Sequence, residues 1–357
     1  MAASTPVGTV LREYASLVPG RLIRRYKRFL ADIKIGNELV TVHCPNTGPM
    51  TGLLDRAGAP VLLAVSDNDK RKYRHTLEWI KPATSLDWVG VHSAGANALC
   101  RELLERRAFP SLGEYNSIKS EVKLGDKTRI DFVLHRSDGG EVLVEVKSVT
   151  LVELCGEPGA HIAPENQGDE TTEDLHGTWP EGEVPVARGT ASHHHHVAIF
   201  PDTTSERALK HVTELKHAVE SSSKKEAVCL MCIQRGDCAS FAPAWAKDPQ
   251  YAAAMQAAVQ SGVKVIAFSC RLAPTKKQGN RATEPGTYNV EYCGEVPVNL
   301  EHGKAAAAAA ATDMGTKSRK RRPPSAPKGK SVKVKGEDGV MTKSVVRFRF
   351  EPRISCK

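Results

Sequence analysis

Two short runs carry residues whose types and spacing could do chemistry together. Glu145-Val146-Lys147 sits in a strand-like segment, and strand side chains alternate, so Glu145 and Lys147 share one face. Asp131 lies in the preceding strand-like run, Arg129-Ile130-Asp131-Phe132-Val133-Leu134. If Asp131 points the same way, two carboxylates and an ammonium converge. Carboxylate oxygens are ligands that Mg²⁺ or Mn²⁺ accepts. A metal so held lowers the pKa of a water and stabilises charge on a phosphate. Lys147 would then orient or deprotonate that water, or steady the developing negative charge. Glu121, in Ser120-Glu121-Val122-Lys123, offers a further carboxylate. The same Glu-x-Lys pattern also occurs on salt-bridged solvent faces. Here Val142, Leu143, Val144 and Val146 make an almost continuous apolar strand, which reads as sheet interior. Asp131 interrupts a second apolar run, where a lone charge is costly to bury.

Basic residues supply a possible phosphate surface. Arg207, Lys210 and His211 fall at i, i+3 and i+4 of a helical pattern, so they share a face. Asp202, Thr203 and Thr204 stand at its start. Arg24, Arg25, Tyr26, Lys27, Arg28 and Phe29 interleave cations with aromatics, and so do Lys70, Arg71, Lys72, Tyr73, Arg74 and His75. Small β-barrels bind single strands with this mixture, cations tracking phosphates and rings stacking on bases. Strand alternation would place Arg24, Tyr26 and Arg28 on one face, and Arg25, Lys27 and Phe29 on the other. A solvated helix face and an ordinary solubilising surface are the plainer alternatives for these stretches.

The elements that must position these residues fall into two blocks. From Arg21 to Ser93, short β-type runs (RLIRRYKRFLADIKI, ELVTVHC, PVLLAVS, TLEWI) alternate with turn signals, which predicts a small antiparallel barrel or meander over residues 21–93. Residues 94–273 begin with a helix, SAGANALCRELLERRAF. Three strands follow (SIKSEVKLG, TRIDFVLHR, EVLVEVKSVTL), then a helix from FPDTTSERALKHV, a buried strand AVCLMCIQ, a helix ending in glycine, and a final strand VKVIAFSCRL. That order predicts an α/β or α+β domain with a mixed sheet and flanking helices. Residues 1–20 read as a loose leader. Residues 152–196, acidic, rich in Gly and Pro and ending in four histidines, read as a disordered insertion. Residues 274–357 read as a disordered basic tail.

At about 150 residues per domain, 357 residues suit two domains with additions. The net charge of +9 is unevenly spread: residues 301–357 hold 15 basic and 5 acidic residues, residues 152–196 hold 1 and 9, and residues 1–82 hold 13 and 7. A localised positive patch points to a polyanionic partner better than a global pI does. No run approaches the ~18 apolar residues of a membrane span, and the first 20 residues lack a signal-peptide pattern. The N-terminus has a weak transit-like composition. Nine scattered cysteines favour a reduced, intracellular setting over a disulfide framework. Cys229 and Cys232 have metal-type spacing but sit in an apolar strand, where buried thiols are the simpler reading. His43-Cys44 lacks an activating acid nearby. Lys317 to Arg322 resembles a nuclear localisation signal or a nucleic-acid arm, which leaves nucleus, cytoplasm or an organelle open.

The strings RRYKRFLAD, HCPNTGPMTG, SDNDKRKYRHT, SIKSEVK, RIDF, EVKSVTL and FPDTTSERALKHVTEL, in that order, resemble the sugar fermentation stimulation protein A (SfsA) family over about residues 21–273, apart from the insertion. The resemblance implies an N-terminal OB-fold-like barrel followed by a restriction-endonuclease-like PD-(D/E)xK domain. It implies Asp131, Glu145 and Lys147 as the nuclease-type core, Asp131 and Glu145 as metal ligands, and Glu121 as an accessory acid. Arg207, Lys210 and His211 would lie on the helix facing that core. It also implies DNA rather than RNA as partner and a proposed regulatory link to sugar metabolism. Compact members lack the insertion and the tail. Three readings stay open: a Mg²⁺-dependent nuclease or phosphodiesterase, a non-catalytic DNA-binding module on a nuclease scaffold, and a nuclear regulator acting through its tail with a fold complete by Ala273. The oligomeric state is unreadable.

Overall fold

The computed structural model describes residues 5–320, apart from 55–56, 83–84, 86, 125–127, 155–195 and 276–283. One strand, β1 (Val10–Tyr26), serves both halves of the molecule. Its second half pairs antiparallel with β4 (Pro60–Val65) and β2 (Leu30–Ile35). Adding β3 (Glu38–His43) and β5 (His75–Ile80) closes a five-stranded barrel in the order β1-β2-β3-β5-β4-β1. The barrel closes at a single parallel pair, His43 with Thr76. Leu22, Ile33, Val42, Val61, Leu63 and Leu77 fill it. Gly20 is required there, because a Cβ would lie 2.5 Å from the Ile33 side chain. A short strand β6 (Val89–Gly90) pairs with β5 and leads out of the barrel.

The first half of β1 instead joins the second sheet, so the expected leader over residues 1–20 is corrected to a structural strand from Val10. The reason it reads as loose is visible in its burial. Leu11, Tyr14 and Leu17 are buried three apart, because register shifts between Val10 and Arg12 and between Tyr14 and Leu17 break the period of two. The long run RLIRRYKRFLADIKI is also not one strand. β1 stops at Tyr26, and Lys27 and Arg28 turn with φ of 49° and 63°. The alternation expected for Arg24 to Phe29 therefore holds only as far as Tyr26.

The second domain opens with α1 (Ser93–Glu105), followed by β7 (Ser117–Leu124), β8 (Thr128–His135) and β9 (Glu141–Val149). Further along come α2 (Glu206–Ser221), β12 (Lys225–Ile233), α3 (Pro249–Gln260), β14 (Lys264–Pro274) and β15 (Gly286–Val296). Two strands fall between these: β10 (Leu151–Leu154) pairs with β11 (His196–Phe200), and β13 (Cys238–Pro243) completes that small three-stranded sheet. The main sheet runs β1-β15-β14-β12-β9-β8-β7, with β9, β12 and β14 parallel. α1 buries Leu99, Cys100 and Leu103 on one face, against Val142, Val144 and Leu230. α2 and α3 bury Val212, Leu215, Tyr251 and Met255 on the other, against Leu143 and Met231. Cys229 and Cys232 are both buried and belong to opposite faces, as core thiols.

Two boundaries move. The insertion narrows, since Leu151–Leu154 and His196–Phe200 pair with one another; His196 is ordered and lies 3.0 Å from Asp237. His193, His194, His195 and the rest of the insertion lie outside the described residues. The tail does not begin at 274. β15 pairs with both β14 and β1, burying Tyr288, Val290 and Tyr292 at strict alternation. A last helix, α4, spans Lys304–Lys320; residues from 321 onward, with the end of the basic run, lie outside the described residues. A chain ending at Ala273 would lose the strand that joins β14 to β1, so it does not keep an intact fold. Such a truncation should show no cooperative thermal transition by circular dichroism, whereas a chain ending at residue 303 should melt like the full-length protein.

Candidate functional site

The site forms where β8 and β9 part. Their ladder runs from His135–Glu141 to Phe132–Val144 and stops there. Beyond it, the Val146 N–H is taken up by Asp131 Oδ2 at 2.7 Å, and Asn97 Nδ2 from α1 donates to Asp131 Oδ1 at 2.8 Å. Alternation breaks at the same level on two strands. On β8, Phe132 and Leu134 pack toward α1, while Ile130 and Val133 pack toward α2 and α3. On β7, Ile118 packs toward α1 but Val122 and Leu124 toward α2 and α3. The ladder between the two strands skips the Glu121–Asp131 pair but keeps its register on both sides, so they roll together at that level. Glu121 takes the strain, with φ of 53°, at a cost of roughly 1 kcal/mol for a residue with a Cβ.

On β9, Glu145 is 3% exposed. Its Oε1 accepts from Lys147 Nζ at 2.7 Å and forms a very short contact with His211 Nδ1. Lys147 Nζ also lies 3.4 Å from that ring nitrogen. Glu145 Oε2 is buried without a hydrogen-bond partner among the described residues. Burial alone would raise the Glu145 pKa, but the hydrogen bonds and charges of His211 and Lys147 outweigh it and hold the carboxyl below its usual range. Asp131 goes the other way. Burial and then the Glu145 charge push its pKa up, only partly offset by the Val146 N–H and Asn97. Behind the site, burial pushes the Cys229 thiol up to about 12, which leaves it an inert core group.

These groups line a cleft of roughly 600 Å³ shared by Glu121, Thr128, Arg129, Asp131, Glu145, Glu206, Arg207, Lys210 and His211. Ser205 caps α2 by accepting from Ala208 N at 3.2 Å, and Asp248, which caps α3, also accepts the Ser205 N–H at 2.8 Å. One buried aspartate thus fixes both helix starts. Thr128 Oγ1 donates to Glu214 at 2.7 Å and clips α2 to the start of β8. Arg207 and Lys210 are exposed at the cleft. His211 differs from the expected phosphate-facing role. It is 7% exposed, and its Nδ1 is committed to Glu145. Asp202 does not cap the helix either; its carboxylate accepts the Met50 N–H at 3.0 Å, tying the PNTGPMTG loop of the barrel to the entrance of α2. Asn97, Thr128 and Arg129 were not legible as site residues. Asn97 sits in an alanine-rich helical pattern, 34 positions from its partner.

The barrel cations divide. Arg24 pairs with Asp32 at 2.9 Å and lies 5.0 Å above the Tyr26 ring, whose hydroxyl also reaches Asp32. Arg25 is half-buried and donates to the carbonyls of Arg28 and Asn46, so its Nη2 braces the turn. Lys27, Arg28 and Phe29 are exposed at the turn, Phe29 at 48%. Lys70, Arg71 and Lys72 are exposed on the loop before β5, with Lys72 Nζ 5.5 Å from the Tyr73 ring centroid.

A closed five-stranded barrel joined by a shared strand to a mixed sheet, with Asp131 and a Glu-x-Lys pair at a strand fork, defines a two-domain α+β protein: an OB-type barrel followed by a restriction-endonuclease-like domain. The family models agree with that division. The SfsA N-terminal OB domain matches residues 23–91, and the sugar fermentation stimulation protein RE domain matches residues 94–161 and 186–276. The chain belongs to the sugar fermentation stimulation protein (SfsA) family. It is 37% identical over 265 residues to a sugar fermentation stimulation protein homolog of Picosynechococcus sp., covering 73% of this chain and 86% of that one. A homolog from Shewanella sp. is 37% identical over 262 residues, covering 72% and 92%. The fold resembles the solved Pyrococcus furiosus SfsA in complex with Ca²⁺, with a TM-score of 0.59 and 20% identity over 82% of this chain and 99% of that one.

Removing one neutralising partner of Glu145 leaves a buried charge short of a hydrogen bond. His211→Ala should therefore destabilise the metal-free protein by about 1–3 kcal/mol in urea unfolding at pH 7. The depressed Glu145 pKa contributes stability above its unfolded value and loses it as pH falls through the folded value. In His211→Ala the acid-unfolding limb should accordingly move to higher pH.

Proposed function

We propose that this chain binds DNA and hydrolyses its phosphodiester bonds with a hard divalent cation, Mg²⁺ or Mn²⁺. The observation that carries the reading is the facing of a buried carboxylate, Glu145, and a half-buried one, Asp131, across the fork, with Glu145 Oε2 lacking a partner among the described residues and the Asp131 charge disfavoured by burial and then by Glu145. Two like charges so placed call for a cation between them. Among the described residues, no three His, Cys, Asp or Glu side chains cluster closely enough to cage a metal alone. Mg²⁺ is commonly held by one or two carboxylates and completed by waters and substrate phosphate. Asp131 and Glu145 would hold it, with Glu121 assisting from the cleft wall. Once bound, the ion supplies an activated water and charge neutralisation at the phosphate. The Ca²⁺ bound by the Pyrococcus furiosus relative is a cation of the same hard, oxygen-seeking kind.

The chain's own residues do the rest. Lys147 Nζ, 12% exposed and held by the cleft residue Glu145, is the cation that orients the attacking water or steadies the developing negative charge. Arg207, Lys210 and Arg129 bind phosphates along the cleft wall. His211 positions Glu145 rather than touching the strand. The barrel turn at Lys27, Arg28 and Phe29, with the loop at Lys70 to Tyr73, tracks the backbone and stacks on bases.

One observation favours a second reading. Glu145 is already held by Lys147 and His211 without any metal. On that reading the constellation is structural, and the chain is a non-catalytic DNA-binding module, with a regulatory link to sugar metabolism as its context.

The two readings separate in a Mg²⁺ or Mn²⁺ titration with labelled DNA and RNA, wild type against Asp131→Ala. The nuclease reading expects a loss of cleavage of at least about 100-fold, together with loss of metal uptake. Binding without cleavage or uptake in the wild type leaves the module. For the barrel, Lys27→Ala with Arg28→Ala should lower the slope of log K against log salt by about 1–2, read by fluorescence anisotropy. Phe29→Ala should cost about 1–3 kcal/mol of single-strand binding. Arg25→Ala should mainly lower the melting temperature.

A further inference from the structure

A second cluster of titratable side chains lies outside the cleft, where the barrel meets the first half of β1 and the start of α1. Glu78, on β5, is 3% exposed. Its Oε2 accepts from the Tyr14 hydroxyl at 2.9 Å, and its Oε1 lies 2.9 Å from His92 Nδ1. An ionised carboxylate this deep is costly without partners. A purely structural solution would bury the histidine with it, yet the His92 side chain is 26% exposed, so the ring bridges buried carboxylate and solvent. In the imidazolium form Nδ1–H goes to Glu78 and Nε2–H is the donor left for an anion. Nε2 makes no hydrogen bond among the described residues.

Cations gather around this ring. The Arg12 guanidinium lies 4.4 Å from the Tyr14 ring centroid. A Cβ at Gly95 would sit 3.5 Å from His92 Cβ and 3.6 Å from Arg12 Nη1, so both side chains come against the first turn of α1 at its one position without a side chain. His43 is close enough to Arg71 and His92 that, after burial, their charges lower its pKa. No side chain caps the start of α1, which leaves its positive dipole end at the same place. Asn97, which holds Asp131, lies five residues further along α1, about 7.5 Å along the helix axis at 1.5 Å per residue.

We infer that His92, oriented by Glu78 and Tyr14 and flanked by Arg12, forms a second phosphate-binding site that takes a backbone phosphate of the nucleic-acid strand outside the cleft. The macromolecule in this inference rests on the proposed function, but the phosphate chemistry does not. The site positions a strand and makes no bond to the reacting atoms.

The test uses the full chain in metal-free buffer, so that cleavage cannot interfere. Inorganic phosphate is titrated while the histidine ring resonances are followed by NMR, and single-stranded DNA binding is read by anisotropy. One ring resonance should shift saturably in the wild type and be absent from His92→Gln. His92→Gln should also weaken oligonucleotide binding by up to about tenfold, the loss of one charge-assisted phosphate contact. Glu78→Gln keeps the shape and removes the charge, and should weaken the phosphate response with His92 still present. Should Glu78→Gln fail to fold, the variant at the partly exposed His92 decides alone. A His92 resonance unmoved by phosphate overturns the site. A saturable phosphate shift without any oligonucleotide binding keeps the site as a receptor for small phosphates and removes the nucleic-acid reading instead.

Discussion

The buried charge of Glu145 is the constraint on which the rest of the second domain depends. A carboxylate at 3% exposure on β9, between antiparallel β8 and parallel β12, is stable only if hydrogen-bonding or charged partners reach it. Lys147 comes from the same strand two residues on, as the pleat requires. His211 comes from α2, so the helix must lie at one angle over the sheet. The cap of that helix, its clip through Thr128 and Glu214, and the shared aspartate that starts α2 and α3 all serve that placement. What results is a polar floor in an apolar sheet, with one carboxylate oxygen still unpaired.

Asp131 solves a second problem at the same place. When β8 leaves β9, a backbone N–H on the buried strand loses its ladder partner, and Asp131 supplies the acceptor. The carboxylate therefore holds the fork open and faces the cleft at once. Its raised pKa comes from burial and the facing Glu145 charge, against the Val146 N–H and Asn97 bonds that lower it. Strain at Glu121 belongs to the same roll of the two strands. Carboxylates, fork and left-handed residue form one local arrangement.

The two domains are joined as much by strand pairing as by packing. β1 gives half its length to the barrel and half to the mixed sheet, and β15 returns after the sheet's last parallel strand to pair with it. Asp202 adds a side-chain tie from the entrance of α2 to the barrel loop. The barrel's cationic turn and the cleft are consequently carried on one continuous strand framework. The cluster at Tyr14, Glu78 and His92 sits at that seam, which is why its members come from β1, β5 and the residue before α1.

Much was legible from the chain alone, and for a definite reason. β-type runs between turn signals exposed β7, β8 and β9, helical spacing and start signals exposed the helices, and the alternation of strand side chains put Glu145 and Lys147 on one face. Charge and aromatic spacing marked the barrel's basic stretches, and the motif strings marked the family. These are all properties of neighbours along the chain. Tertiary structure decided the rest. Two register shifts hid β1 in an apparent leader, and a basic, Gly-rich composition hid the regular alternation of β15. Arg25 faces carbonyls rather than phosphate because the turn at Lys27 and Arg28 and the loop at Asn46 each bring one to it. His211 belongs to Glu145, and Asn97 to Asp131, through contacts 66 and 34 residues apart. Side-chain type and local period determine which groups are present and which face they take; only the packing of distant segments determines which group neutralises which, because burial makes each charge find its partner in space.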